Sequence, residues 1–175
     1  MISRSIKVRL DTQLDALPPI LAGATAETLA MRPASGAWSA NEHLAHLARH
    51  HAVFFDRLRQ VVAEDEPQFA RYRAEEDPEW RAWAVLPTAD ALARVTDLRA
   101  RIIEWVKALS DADADRCGVH PLFGTQSIGD MLDFFLLHEG HHLYVMMTRI
   151  GEASGRAEDN PHLAGGSLPR LLAAC

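Results

Sequence analysis

The stretch Asp133 to Arg149 reads DFFLLHEGHHLYVMMTR and decides the fold of this chain. As an α-helix it places residues three and four apart on one face, so His138 and His142 share an otherwise apolar strip. Each imidazole has a polar nitrogen that must find a partner inside a core. Two histidines four residues apart are the spacing with which one helix supplies two nitrogens to zinc. The pair predicts a metal site, with hydrogen-bonded core histidines as the alternative.

The whole chain has the size and composition of one globular domain. Its 175 residues suffice for a single core, and 48% hydrophobic with 24% charged residues is ordinary for such a protein. The apolar runs are too short for a membrane span and the N-terminus lacks a secretory signal, which predicts a cytoplasmic protein without a membrane partner. A net charge of −6 argues against a nucleic-acid partner, because binding phosphates requires a basic surface.

Four segments have the hydrophobic periodicity of amphipathic helices. We expect these helices at about 5–17, 40–62, 88–110 and 127–150. Ser39 is followed three residues later by Glu42, which predicts a capping box at the second helix, and Ser127 with Asp130 is a start signal for the fourth helix. With no convincing set of strands, the pattern predicts an all-α four-helix bundle, up-and-down or with a long crossover connection.

The domain prediction is a single domain at 1–175, with the bundle at about 5–150 and an extended tail at 151–175 that begins at Gly151. Between the second and third helices, residues 64–87 are acidic and irregular in pattern. We interpret them as a surface connection whose tryptophans cover the edge of the core, with a ligand-binding lid as the alternative. Residues 111–126 are expected to form a loop.

The second helix supplies a candidate third metal ligand. It carries four of the nine histidines of the chain, which are His43, His46, His50 and His51. Because the second and fourth helices of a bundle can face each other, His46 can meet His138 and His142. Three imidazoles leave a fourth coordination position open, as in catalytic metal sites, where a bound water or thiol is activated.

Two further residues near the pair have candidate roles. Glu139 is the candidate catalytic residue, as a general base. Alternatively, it supports a metal ligand through a hydrogen bond, or it is a solvated surface residue. It also completes the pattern His-Glu-x-x-His, which is typical of zinc peptidases. Arg149, two turns beyond His142, is a candidate for binding an anionic substrate, with a solvated helix end as the alternative.

Two motifs resemble those of the DinB-like superfamily. Residues 38–47, WSANEHLAHL, resemble its Trp-Ser-x-x-Glu-x-Leu-x-His-Leu opening of the second helix, and residues 138–142 resemble its His-x-x-His-His signature on the last helix. Phe123, Gly124, Thr125 and Leu132 are also similar to its turn before that helix. The resemblance spans about residues 10–149. Tyr144, Val145 and Met146 depart from the glutamine that is common after the last ligand, which bears on the substrate more than on the metal.

The resemblance implies a four-helix bundle, often a homodimer, that binds a divalent ion such as zinc or nickel through three histidines. Carried over by position, these ligands are His46, His138 and His142, whereas His141 matches the motif without being a ligand. Relatives in this superfamily include S-transferases that use low-molecular-weight thiols, an isomerase and metal-dependent hydrolases.

The sequence therefore predicts a transferase or hydrolase in which a divalent metal activates a low-molecular-weight thiol cosubstrate or water toward a small-molecule substrate. One alternative is a non-enzymatic DinB-like binding module with a structural metal. Another is a zinc peptidase in which Glu139 activates water, and this alternative does not need His46 as a ligand.

Overall fold

The computed structural model describes residues 1–155, and the chain forms a four-helix bundle. The elements are α1 (Arg4–Thr12), a 3₁₀ segment (Gln13–Ala16), α2 (Leu17–Leu21), α3 (Ala26–Ala30), α4 (Ala40–Ala63), a 3₁₀ turn (Ala74–Glu76), α5 (Trp80–Ala84), α6 (Thr88–Ala108), α7 (Asp111–Ala114), β1 (Cys117–His120), β2 (Gly124–Ser127) and α8 (Ile128–Ala153). The long helix α4 packs against both α6 and α8, and α1 lies against α6 and α8. Within residues 1–155, no helix has the length and hydropathy required to cross a bilayer.

The predicted capping box of the second helix is confirmed, and the start signal of the fourth helix is a capping box as well. At α4, the backbone N–H of Glu42 donates to Ser39 Oγ at 3.2 Å, and the Glu42 carboxylate accepts from the backbone N–H of Ser39 at 2.9 Å. Ser127 and Asp130 form the same reciprocal pair at the start of α8. These bonds satisfy backbone donors that a helix N-terminus leaves without partners, so they fix where the two site-bearing helices begin.

The first and last helices differ from their expected bounds. The continuous helix expected at 5–17 ends at Thr12, and the chain passes through a 3₁₀ segment into α2, where Pro18 and Pro19 occupy the first turn. Proline lacks a backbone N–H, which is tolerated in a first turn but not inside a helix. At the other end, α8 continues past Gly151 to Ala153. The rest of the predicted tail, 156–175, lies outside the described residues.

The segment 111–126, expected to be a loop, instead forms α7 and a β-hairpin. Strands β1 and β2 pair antiparallel, with Cys117 opposite Ser127. Residues 67–69 extend this pairing, because Val119 N–H donates to the Pro67 carbonyl and Phe69 N–H donates to the Val119 carbonyl, both at 2.9 Å. Strands of four residues give too little alternation to be read from sequence, and a partner some fifty residues away is not signalled locally.

The core has two main clusters that meet along α4 and α8. One contains Phe54, Leu58, Leu132 and Phe135, and the other contains Leu44, Leu47, Leu143 and Met146. Four of the buried polar residues on these helices are the histidines His43, His46, His50 and His142. The candidate site therefore lies between the two apolar clusters.

Candidate metal centre

Three histidine side chains converge between α4 and α8. The Nε2 atom of His138 lies 3.2 Å from His46 Nε2 and 3.1 Å from His142 Nε2. One ligating nitrogen from each of the three lies within 4.8 Å of the others. His46 and His142 are buried, with 5% and 7% of their surface exposed. The structure thus brings together the three residues that the sequence predicts as metal ligands.

The chemistry of these three nitrogens fits a metal ion. A tetrahedral ion with nitrogens at 2.0–2.1 Å holds neighbouring nitrogens roughly 3.3–3.4 Å apart, close to the separations around His138. A neutral imidazole nitrogen either donates or accepts, so a shared cation is the partner that satisfies three lone pairs at once. Burial, with charge repulsion from neighbouring histidines, lowers the pKa of His46 and His142 well below the ordinary value, and that of His138 to about 3. The rings are therefore neutral near pH 7 and their lone pairs are available.

His43 supports the cluster from behind. Its Nδ1 atom lies 2.8 Å from Nδ1 of His142, so the two rings share a hydrogen bond. Burial lowers the pKa of His43 to about 4, which leaves its ring neutral. We did not predict this contact from the sequence. The available signal was that His43 lies three residues before His46 on α4, and therefore on the same face.

A cavity of about 390 Å³ opens onto the three histidines. Its lining combines aromatic, histidine and charged side chains, namely Trp38, His46, His50, Arg57, Arg71, Tyr72, Arg73, Ala74, Glu75, His120, Leu122, Phe123, Phe134, His138 and His142. One wall comes from residues 71–75 in the connection between α4 and α6, and another comes from the tip of the β-hairpin. The volume suits a small organic molecule rather than a polymer.

The connection at 64–87 covers the edge of the core, as expected, and also borders the cavity. Trp80 is buried and packs against Trp38 in a tilted arrangement with ring centroids 4.9 Å apart, so a tryptophan of this segment does cover the edge of the core. However, the same segment contributes Tyr72 and its neighbours to the cavity wall. The interpretation as a mere surface connection is therefore incomplete, because the segment also borders the candidate site.

Glu139 lies in a buried network rather than on the surface. It is fully buried, and its carboxylate accepts hydrogen bonds from Arg99 and from Gln13 Nε2 at 2.8 Å, with His51 Nε2 at 3.1 Å. Burial alone would raise the pKa of Glu139, but His51 and Arg99 outweigh it and the pKa is lowered. The residue does not belong to the cavity lining. Its predicted catalytic role remains a prediction, and its visible role is to join α8 to α4 and α6.

Arg149 is placed differently from the sequence hypothesis. Its guanidinium pairs with Glu152 on the same helix at 2.7 Å, and it does not line the cavity. Of the other described histidines, His50 and His120 line the cavity, and His141 is half-buried beside His142. Arg57, Arg71 and Arg73, which bring positive charge to the cavity, were not singled out in the sequence.

Comparisons with known proteins agree with this architecture. Two proteins of Oceanobacillus iheyensis, both named "Putative metal-dependent hydrolase", are similar in sequence. The first is 30% identical over 62% of this chain and 63% of its own length, which is less than two thirds of that relative. The second is 22% identical over 74% of both chains.

A solved structure shares the fold. It is described as "YfiT from Bacillus subtilis is a probable metal-dependent hydrolase with an unusual four-helix bundle topology", and it aligns with a TM-score of 0.73 over 89% of this chain and 91% of that one at 20% identity. The family model of the DinB superfamily matches residues 9–146, which include both motifs and all three converging histidines. This chain belongs to the DinB superfamily.

Proposed function

We propose that this protein binds a divalent metal ion through His46, His138 and His142 and uses it to activate a small nucleophile toward a small-molecule substrate. The nucleophile is a water, in a hydrolase, or a low-molecular-weight thiol, in a transferase. The observation that carries the proposal is the convergence of three histidine nitrogens on the wall of a 390 Å³ cavity. The names of the two sequence relatives and of the YfiT structure support a metal-dependent reaction.

The number of ligands favours a catalytic rather than a structural metal. A structural zinc site is closed by four protein ligands, whereas a catalytic site keeps one position for water or substrate. Within residues 1–155, the one group of histidine, cysteine and acidic side chains close enough to hold an ion has three members. Because the cavity reaches all three, a small molecule has access to the remaining position.

The chain's own residues prepare this position. A bound zinc or nickel ion would act as a Lewis acid and lower the pKa of a water or thiol at the open position. His43 holds the ring of His142 through its Nδ1 atom, which orients Nε2 toward the other two histidines. Trp38 and Tyr72 contribute aromatic rings to the wall of the cavity.

The zinc-peptidase alternative is disfavoured by geometry. In that mechanism the glutamate of His-Glu-x-x-His activates water beside the metal. Here the Glu139 carboxylate accepts from Arg99 and Gln13, away from the cavity lining. We propose that Glu139 is instead a positioning residue that fixes α8, and with it His138 and His142.

The proposal is tested by loading the protein with cobalt(II) and following its visible absorption while 2-mercaptoethanol is added. A catalytic site with an open position should show a new thiolate charge-transfer band, and the loaded protein should then be screened for hydrolysis and for thiol transfer to small electrophiles. A cobalt spectrum unchanged by thiol, together with no turnover in either screen, would mean that the metal is structural and the protein a binding module.

A further inference from the structure

Arg57 places a positive charge at the cavity wall without a carboxylate to balance it. The residue is partly buried, its Nη2 atom donates to the Ala70 carbonyl at 2.6 Å, and its guanidinium lies over the Phe69 ring at 5.3 Å from the centroid. Among residues 1–155, no acidic side chain forms an ion pair with it. Removing a cation from water without an anionic partner is costly, so this arrangement calls for an explanation.

Several other arginines of the chain are paired with carboxylates. Arg59, two residues away on the same helix, pairs with Asp56, and Arg49 pairs with Asp77 at 2.7 Å. The chain carries 24 acidic and 18 basic residues, so acidic partners are in excess. The lack of one at Arg57, within the described residues, is therefore a local feature of the cavity and not a consequence of composition.

The surroundings of Arg57 are also positive. Arg71 lines the same cavity, and the pKa of His120 is lowered first by burial and then by the charges of Arg57 and Arg71, which places both guanidiniums near that ring. Arg73 is offset by Glu76 at 3.1 Å, and Glu75 is the one acidic residue of the lining. An anion entering this cavity would therefore meet a favourable potential although the chain as a whole is negative.

We propose that the substrate or thiol cosubstrate of this site is a small organic acid whose carboxylate binds the guanidinium of Arg57 while its reactive end faces His46, His138 and His142. The inference rests on the proposed function and adds a substrate class to it. A guanidinium presents several N–H donors in one plane, which matches the two oxygens of a carboxylate, and one of its amino groups is already oriented by Ala70.

The test compares a thiol that has a free carboxylate with its neutral methyl ester. 3-Mercaptopropionate and its methyl ester are titrated into the cobalt(II)-loaded protein, with the thiolate absorption band as the readout. In the wild type we expect the acid to bind about tenfold more tightly than the ester or better, as expected for a hydrogen bond to a charged group. In Arg57→Gln the two thiols should bind within about twofold of each other, because the acid loses its contact with the guanidinium and the ester had no such contact to lose.

Two variants make the result specific. Arg59→Gln, which removes an arginine from the same helix but outside the cavity lining, should keep the full preference for the acid. Arg57→Lys, which keeps the charge without the planar fork, should keep part of it. Equal binding of acid and ester to the wild type, or an unchanged preference in Arg57→Gln, would overturn the inference while leaving the metal site intact.

A failure of the proposed function would give a different experimental result from a failure of the inference about Arg57. If neither thiol changes the cobalt spectrum, thiol activation is wrong, and the inference about Arg57 is decided by calorimetric titration with succinate. Succinate binding to the wild type that weakens about tenfold in Arg57→Gln supports the carboxylate site, and equal binding to both overturns it.

Discussion

A single hydrogen bond between His43 and His142 determines which nitrogen of His142 is available to a metal. If Nε2 of His142 presents its lone pair to the cluster, its Nδ1 must carry the proton and donate to His43 Nδ1. His43 then carries its own proton on Nε2. The ring of a ligand is thus fixed by a residue outside the three ligands predicted from sequence.

We predict that His43→Ala lowers metal affinity without abolishing it. Losing a hydrogen-bond partner of a ligating histidine typically costs about 10- to 100-fold in affinity, because the ring and its tautomer are no longer held. Competition with a zinc-chelating dye measures this directly. His141→Ala, on the same helix as His142 but outside the converging group, should stay within about threefold of the wild type. Equal losses in both variants would mean that His43 has no specific role.

The buried ion pair of Arg99 and Glu139 predicts that replacing Glu139 strongly lowers the free energy of unfolding. Glu139 is fully buried and Arg99 is 4% exposed, so Glu139→Ala would leave a buried guanidinium without its counter-charge. We expect a loss of about 3–5 kcal/mol in the free energy of unfolding, measured by urea denaturation. Asp56→Ala, which breaks the exposed pair with Arg59, should cost no more than about 1 kcal/mol. A small effect of Glu139→Ala would contradict its positioning role.

At the scale of single elements, α8 carries a glycine between its metal-site histidines. A Cβ added at Gly140 would meet nothing closer than Gln13 Nε2 at 4.0 Å. Gly140→Ala should therefore raise the free energy of unfolding by about 0.5–1 kcal/mol, since alanine loses less backbone entropy in a helix. Urea denaturation of the metal-free protein measures the change.

The contrasting glycine is Gly118 in β1. An added Cβ would lie 2.6 Å from Phe69 Cε2 and 2.9 Å from Val61 Cγ2, so these side chains or the hairpin would have to shift. We expect Gly118→Ala to destabilise the fold by about 1–3 kcal/mol. If Gly118→Ala and Gly140→Ala changed stability in the same direction, the packing described at one of these positions would be wrong.

The helices and the hairpin show which parts of the fold the sequence can and cannot predict. The starts of α4 and α8 were predictable because each has a local chemical signal at its first turn. His138 and His142 were predictable from helical spacing, and His46 from the expectation that the two helices face each other and from the family resemblance. The hairpin and the cavity wall at 71–75 were not, because they form through contacts between segments that are distant in sequence. Arg57 could not be singled out from the sequence, because whether an arginine has an acidic partner within residues 1–155 is decided by contacts between distant segments.

At the scale of the whole molecule, buried histidines make the metal-free protein sensitive to acid. Burial lowers the pKa from 6.5 to about 4 for His43 and to about 3 for His138. Below pH 6.5 the unfolded chain binds protons at these rings that the folded chain does not, so the free energy of unfolding falls as the pH falls toward those lowered values. The lowered pKa of Glu139 adds its own loss only below its ordinary value of 4.5.

This pH dependence is measured by urea denaturation at several pH values between about 7.5 and 4.5 in the presence of a chelator. His43→Gln should show a shallower decline than the wild type, because one of the titrating rings is gone. A free energy of unfolding that stays constant over this range would contradict the neutral, buried state of the histidines. The homodimer implied by the family resemblance stays a prediction at this scale.

The central claim, a metal site on His46, His138 and His142, is tested most directly by elemental analysis of the purified protein after loading with zinc and then with nickel. We predict about one ion per chain in the wild type, clear loss in His46→Ala, and retention in His50→Gln, which alters a cavity histidine on the same helix outside the three ligands. Circular dichroism should show that all three proteins are folded. A folded wild type that binds no ion, or a His46→Ala protein that keeps its ion, would contradict the account.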